Sequence, residues 1–396
     1  MTEGTSMHLF TRRFGAALLS SAAALALTTP TAAWAEPAQA AACTPGVPPC
    51  VEIVQPLGVD ASGGSTPYVF AKGSDGNVWA GVVERDAADT NTVEWRNVGR
   101  PAGTTIDAAV GADSGGLDTP YLFVRAASGE LWMATQSGTS WTWTNHSRPA
   151  GVWLQGGYGV VAPQFGGRPY AFVKGSDGNL WARSWSGSGW TWTNVGQPPT
   201  TGTRGIASAG GAVLVQQTRP TVFVKGNDED LWLVELVGGA WKWSRQGRPG
   251  AAVKAGYGAA ALNGTTPTAS VLDAGGALWS RSWNGASGTW TKLLAAPNAH
   301  SPAGVTSGGT GGQLWTHFRQ NDGRIMRSMS PPGGGASPAN PAGLGINATY
   351  GAINFGYSEV LENMVFVKGS DKHLWILWSV TATADFRWID GGFPTA

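Results

Sequence analysis

A run of apolar, aromatic and β-branched residues, Pro169 to Lys174, leads into Gly175-Ser176-Asp177-Gly178, a tight-turn composition, and then Asn179-Leu180-Trp181. Residues 180–185 alternate, which puts Trp181, Arg183 and Trp185 on one face of a strand. A second turn, Ser186 to Gly189, precedes Trp190-Thr191-Trp192-Thr193-Asn194-Val195. That segment alternates again, with Trp190 and Trp192 on a shared face. A glycine-rich strand at Gly156–Val161 comes first. The pattern predicts four short antiparallel strands in about fifty residues, and no amphipathic helical stretch competes after residue 50.

The unit recurs. Pro67 to Trp79 repeats Pro169 to Trp181 almost residue for residue, and further copies end at Trp132, Trp232, Trp279 and Trp375. A weaker copy has Met326 in the tryptophan position. The seven anchors lie 47–53 residues apart and use up the chain from residue 51 to 396. A lone four-stranded sheet cannot bury its apolar face, and a ring of neighbours solves that. The expected fold is therefore an all-β, seven-bladed β-propeller of four-stranded antiparallel blades over 51–396. Blade six carries Ser330-Pro331-Pro332-Gly333-Gly334-Gly335 where an outer strand belongs, so its outer edge should be irregular. Glu52–Pro56 faintly resembles the Asn194–Pro198 end of an outer strand, which leaves open a strand exchanged between the termini.

Before residue 51 the pattern changes. Arg12 and Arg13 precede an apolar run from Phe14 to Leu27, then small residues with Ala33-Trp34-Ala35 and Ala38-Gln39-Ala40. This is the layout of a secretory signal, assigned to residues 1–40, with export by the Sec or the Tat route. The Ala40–Cys43 segment lacks the leucine of a lipobox. A secreted, extracellular protein is the expectation. No other stretch has the roughly 18 apolar residues of a membrane helix, so the chain is not expected to span a membrane. Cys43 and Cys50, the only two cysteines, are expected to close a disulfide loop within residues 41–50.

Composition narrows the chemistry. The net charge of +1, with 13% charged residues, gives no footing for nucleic acid. Glycine (59) and tryptophan (21) are the excesses, matching many turns and many stacked or exposed rings. Lys or Arg stands seven before the anchor in six units, and Asp four before it in five. The simplest reading is a turn in which Asp caps backbone N–H groups and the cation lies across the hairpin. One carboxylate per turn is too few for calcium, and no metal or other cofactor is expected. The anchor tryptophans read as core between blades. The outer pairs, with Trp185 and Trp283, exceed what a core needs. Indole faces stack on the C–H face of a sugar while a nearby donor fixes hydroxyls. The candidate ligand contacts are accordingly Arg183 with Trp185 and Trp190, Arg281 with Trp283, and Tyr158 and Tyr257 in Gly-Tyr-Gly contexts.

The string Phe172-Val173-Lys174-Gly175-Ser176-Asp177-Gly178-Asn179-Leu180-Trp181, followed by Trp-x-Trp and Gly196-Gln197-Pro198, resembles the repeat of bacterial seven-bladed propeller lectins of the Photorhabdus type. It is more distantly similar to tectonin repeats. The resemblance implies sugar pockets between blades, often for fucose or O-methylated sugars, and so cell-surface glycans as partners, with room for an oligomer. Two other classes stay open. One is a scaffold for protein–protein interaction. The other is a secreted glycoside hydrolase, since sialidases are propellers too. Against hydrolysis, Ser176 to Trp181 is two positions shorter than the sialidase Asp-box, and no pair of carboxylates shares a motif. There is no H-E-x-x-H or G-x-S-x-G. The expectation is a multivalent, tryptophan-rich lectin and not an enzyme.

Overall fold

A computed structural model describes residues 50–62, 66–85, 91–115, 120–163, 167–199, 205–295, 299–308, 313–330, 339–355, 362–380 and 386–395. The expected export signal, Cys43 and the segment 331–338 fall outside the described residues. Cys50 is disulfide-bonded.

Seven antiparallel sheets follow one another along the chain, over residues 53–99, 106–145, 154–196, 206–247, 253–294, 299–330 and 346–392. Six have four strands in sequence order, and the sixth has three among the described residues. The first strand of each sheet touches the first strand of the next, and the seventh touches the first, which closes a ring of seven blades. The propeller is as the repeat predicts, and no described residue is helical.

The inner strands approach so closely that each needs a glycine at a bulge. Gly58, Gly111, Gly159, Gly211, Gly258, Gly304 and Gly351 form that column, with φ between 118° and 157°. A Cβ on Gly211 would lie 2.6 Å from the Ala259 nitrogen, and one on Gly304 would lie 2.4 Å from that of Ala352. Backbone is what they would strike, so no rotamer change relieves the clash. Between blades lie seven hydrophobic clusters, each drawn from two neighbours. Their largest members include Phe70, Phe123, Phe172, Phe223 and Phe366, one per second strand and fully buried. Each such ring contributes about 1.5–3 kcal/mol by leaving water.

The turn motif behaves as expected in one half and differently in the other. Asp75, Asp177 and Asp371 cap backbone N–H groups two residues on. They also accept the indole N–H of Trp79, Trp181 and Trp375 at 2.9–3.2 Å. In blade 5, Asp273 reaches Trp279 at 2.8 Å from two residues further back. In three units the cation reaches beyond its own hairpin. Lys72 Nζ donates to the Ile106 carbonyl at 2.7 Å, and Arg125 donates to that of Leu154 at 3.1 Å. Arg319 does the same to Ile346. Each of these three reaches the first inner-strand residue of the following blade and so ties two blades together.

Closure uses no exchanged strand. Ile53–Ser62 is the inner strand of blade 1, and blade 7 takes all four strands from 346–392. The ends are clasped instead. Val51 N donates to the Pro394 carbonyl at 3.0 Å, and Cys50 bridges Thr395. Lys372 pairs with Glu52 at 2.9 Å, and Arg85 pairs with Glu362 at 2.7 Å.

Candidate functional site: the clefts between blades 2 and 3 and between blades 4 and 5

The outer tryptophans divide into two columns. In the first, Trp95, Trp143, Trp192, Trp243 and Trp290 donate their indole N–H to a carbonyl of the preceding blade, and Trp388 to that of Ala339 in the connection between blades 6 and 7, at 2.9–3.2 Å. These rings are struts of the ring, which corrects the expectation that outer tryptophans exceed structural need. In the second column, Trp141 and Trp241 stand edge-on to Phe70 and Phe172, at 5.8 and 5.7 Å, and seal the interfaces between blades 1 and 2 and blades 3 and 4.

Trp190 belongs to the second column but meets different company. Its ring lies 4.4 Å from that of His146 and 6.3 Å from that of Phe123. Arg183 pairs across the hairpin with Trp192, Trp185 with Trp190. The Arg183 Nε donates to His146 Nδ1 at 3.3 Å, and its guanidinium lies 5.4 Å from the Trp192 ring centre. Trp185 is half-buried, with Trp190 edge-on at 5.9 Å and the exposed Arg168 over its other side at 4.9 Å. Arg183, Trp185 and Trp190 therefore converge on the interface between blades 2 and 3, whose groove is the 2/3 cleft.

The same plan recurs two blades on. Arg281 pairs across the hairpin with Trp290. Its Nε donates to Gln246 Oε1 at 3.1 Å, with its guanidinium 5.4 Å from the Trp290 ring. Trp283 packs against the core shared by blades 4 and 5, and its indole N–H has no hydrogen-bond partner. Gly288 stands opposite Trp283, where blade 3 has Trp190.

Burial of the charge is the electrostatic signature of both clefts. It lowers the pKa of Arg183 and of Arg281 from the ordinary guanidinium value. His146, 2% exposed, is pushed down to about 4 by burial and by Arg183, so its ring is neutral and can accept the Arg183 proton at Nδ1. His146, Gln246 and Arg168 were not anticipated from the sequence. A signal existed: the position two after the strut tryptophan's following residue reads Val98, His146, Val195, Gln246, Leu293, with polar residues only at the two clefts.

Tyr158 and Tyr257 are not part of either cleft. Their rings are 6% and 3% exposed, and burial pushes both hydroxyls up to about 12. The small neighbours do not leave the rings accessible. They let adjacent inner strands close in: a Cβ on Gly157 would lie 2.4 Å from the Val110 Cα, and one on Gly256 would lie 2.5 Å from the Gly210 Cα.

One carboxylate pair does assemble. Asp60 and Asp113 stand on adjacent inner strands, and burial raises both, to about 6 and about 7, with Asp60 adding to the rise at Asp113. Both Asp113 oxygens are engaged by backbone, Gly115 N at 2.8 Å and Ala162 N at 3.0 Å. The pair is built into the joint between blades.

No family model matches the chain, and no curated protein matches it. Among solved structures, the chain is similar to the Aleuria aurantia lectin in complex with Fucα1-6GlcNAc, at 14% identity and a TM-score of 0.48, over 87% of this chain and 99% of that one. AofleA from Arthrobotrys oligospora gives 13% and 0.44 over 70% and 87%. The SapL1 lectin in complex with alpha methyl fucoside gives 14% and 0.44 over 87% and 98%.

Proposed function

We propose that the protein is an exported carbohydrate-binding protein, a lectin, whose sites are the clefts between blades 2 and 3 and between blades 4 and 5. The observation that carries this is the equivalent placement of Arg183 beside Trp185 and of Arg281 beside Trp283. In each, a guanidinium with spare N–H donors stands two residues before a half-buried tryptophan on the same strand face. An apolar plate next to directional donors is what a saccharide needs, since its ring has an apolar C–H face and a polar rim. The repeat resembling the Photorhabdus-type lectins points the same way.

Such sites are shallow, so each should bind in the range of about 0.1–1 mM, or about −4 to −5.5 kcal/mol. Two sites on one ring can raise apparent affinity for a glycan-coated surface by about 10²-fold or more without new contacts. A glycan array probed with the chain lacking residues 1–40 tests the function. Trp185→Ala should weaken binding at least several-fold while leaving the melting temperature close to wild type. An array on which no glycan is retained would refute the lectin and favour the scaffold reading. That reading has its own observation in Trp153, 52% exposed and stacked under Arg148 at 3.6 Å, outside both clefts.

A further inference from the structure

Some arginines of the described residues are paired with a carboxylate and others are not. Arg85 meets Glu362, Arg96 meets Glu84 and Glu94, Arg125 meets Asp107, Arg219 meets Glu235, and Arg245 and Arg248 both meet Asp230. Arg183 and Arg281 are among those without one, and unlike the exposed Arg100 and Arg168 they are partly buried. Each has one hydrogen bond from Nε to a neutral side chain, and no carboxylate of the described residues pairs with either. A cation drawn partly out of water without a counter-charge is costly. The lowered pKa of both groups carries the same sign, burial being the sole cause.

The equivalent position in other blades shows that the fold does not require the charge. Ala134 and Val234 hold it in blades 2 and 4, each packed in a cluster with the facing Val98 or Val195. Gly288 adds a second, independent sign. A Cβ there would lie 2.5 Å from the Ser282 carbonyl oxygen, 2.7 Å from the Arg281 Cζ and 2.8 Å from its Nη2, so the glycine accommodates the strand backbone and the fork together where blade 3 has a tryptophan. Arg327, a more deeply buried arginine without a carboxylate, helps to define what a site needs. It is 9% exposed, held between the Trp315 and Phe386 rings at 4.3 and 4.5 Å, and the space beside it is about 10 Å³, enough for one water. No sugar fits there.

We infer that the two clefts select saccharides carrying an anionic group, a uronic- or sialic-acid carboxylate or a sulfate ester, which the free Nη atoms of Arg183 and Arg281 grip while Trp185 and Trp283 face the sugar ring. Guanidinium forks match carboxylate and sulfate oxygens two at a time, which a neutral hydroxyl cannot reproduce. This rests on the glycan-binding reading and adds the charge of the ligand to it.

Calorimetry on the full chain separates the two. Glucuronic acid, N-acetylneuraminic acid and a galactose 6-sulfate are titrated beside glucose, galactose and fucose, in low and in physiological salt. The expected result is a preference of about tenfold for the anionic sugars, two sites per chain, and a preference that shrinks with salt. The carboxylate and sulfate arms tell which oxyanion is preferred. Arg183→Gln with Arg281→Gln should abolish the preference and leave residual neutral-sugar binding. Should that variant fold poorly, glucuronic acid against its neutral methyl ester on the wild-type chain asks the same question. Equal or tighter binding of the neutral partner overturns this inference while the lectin stands. Absence of binding to every sugar overturns both.

Discussion

Replacing Trp192 by phenylalanine asks whether the strut tryptophans hold the ring together. The Trp192 indole N–H donates to the His146 carbonyl at 3.1 Å across the joint between blades 2 and 3. Phenylalanine keeps a ring on the same strand but removes the donor, leaving a part-buried carbonyl without that partner. The net loss for such a bond is about 0.5–1.5 kcal/mol, rising to about 1–3 kcal/mol when the acceptor stays dry. The smaller ring also leaves a gap under Arg183 that the neighbours fill only in part, adding about 1 kcal/mol. The expected total is about 2–3 kcal/mol. Urea unfolding followed by tryptophan fluorescence and by far-UV circular dichroism measures it, with the change read from the midpoint at constant slope. Thr193→Ala, one residue on and exposed, is the control and should move the midpoint hardly at all. If Trp192→Phe is as stable as that control, the indole bond contributes nothing and the strut argument fails for the whole column.

Two further outcomes follow from the same joints. Gly211→Ala should cost about 2 kcal/mol or more beyond Gly187→Ala, because both have positive φ (119° and 97°) but only the first would put a Cβ against neighbouring backbone; equal melting temperatures would remove the close-approach argument. Asp113→Asn tests the carboxylate pair: its raised pKa means the folded state holds a proton that the unfolded chain releases above about pH 4, so stability should fall as pH rises from about 4 to about 7. The asparagine gives up one backbone acceptor but carries no charge to desolvate, so its deficit at pH 5 should narrow by about 1–3 kcal/mol by pH 8. His146 and His317, both lowered by burial, act with the opposite sign, which is why the difference between variant and wild type is the quantity to follow. Parallel stability curves would show that Asp113 is not strained by its burial.

What the sequence made legible was what the chain says to itself over short distances. The Asp–Trp turn closes within five residues, so its hydrogen bonds are implied by the string Asp177-Gly178-Asn179-Leu180-Trp181 alone. The blade count followed because the anchor position recurs seven times, six times as tryptophan and once as Met326. The strut column escaped because each tryptophan bonds a backbone carbonyl 44–49 residues upstream in five of six cases, and a carbonyl has no residue type to read. The cation column failed for the same reason: Lys72 answers to a carbonyl in the next blade and not to its own hairpin. Tyr158 and Tyr257 were misplaced because glycine beside tyrosine can mean an open pocket or a strand pressed close, and only the neighbouring blade decides. Arg183 and Arg281 could be picked out because the strand alternation aims them with their tryptophans. Their partners His146 and Gln246 required reading down the column across units.

That column also explains why two interfaces of seven are candidate sites. Blades 1 and 2 join through Phe70 and Trp141, and blades 3 and 4 join through Phe172 and Trp241, in nearly the same geometry, both crossing at 88°. Between those joints the 2/3 interface keeps a Phe123–Trp190 contact, and the 2/3 and 4/5 interfaces place arginine and a neutral polar partner where the other two pack Ala134 with Val98 and Val234 with Val195. The working repeat is therefore two blades long, one joint sealed and the next left polar. A ring of seven cannot carry a period of two all the way round, and the mismatch must fall somewhere. It falls from blade 5 onward, where Ser270 and His317 stand in place of the buried phenylalanine, Ser270 bonds Thr316 at 2.5 Å, Thr306 bonds Asn363 at 3.0 Å, and Arg327 is enclosed between rings. Those polar groups are sealed inside the joint, whereas Arg183 and Arg281 reach a surface. The odd number of blades thus limits the open polar joints to the stretch where the alternation keeps its phase, and it sets the expected stoichiometry at two.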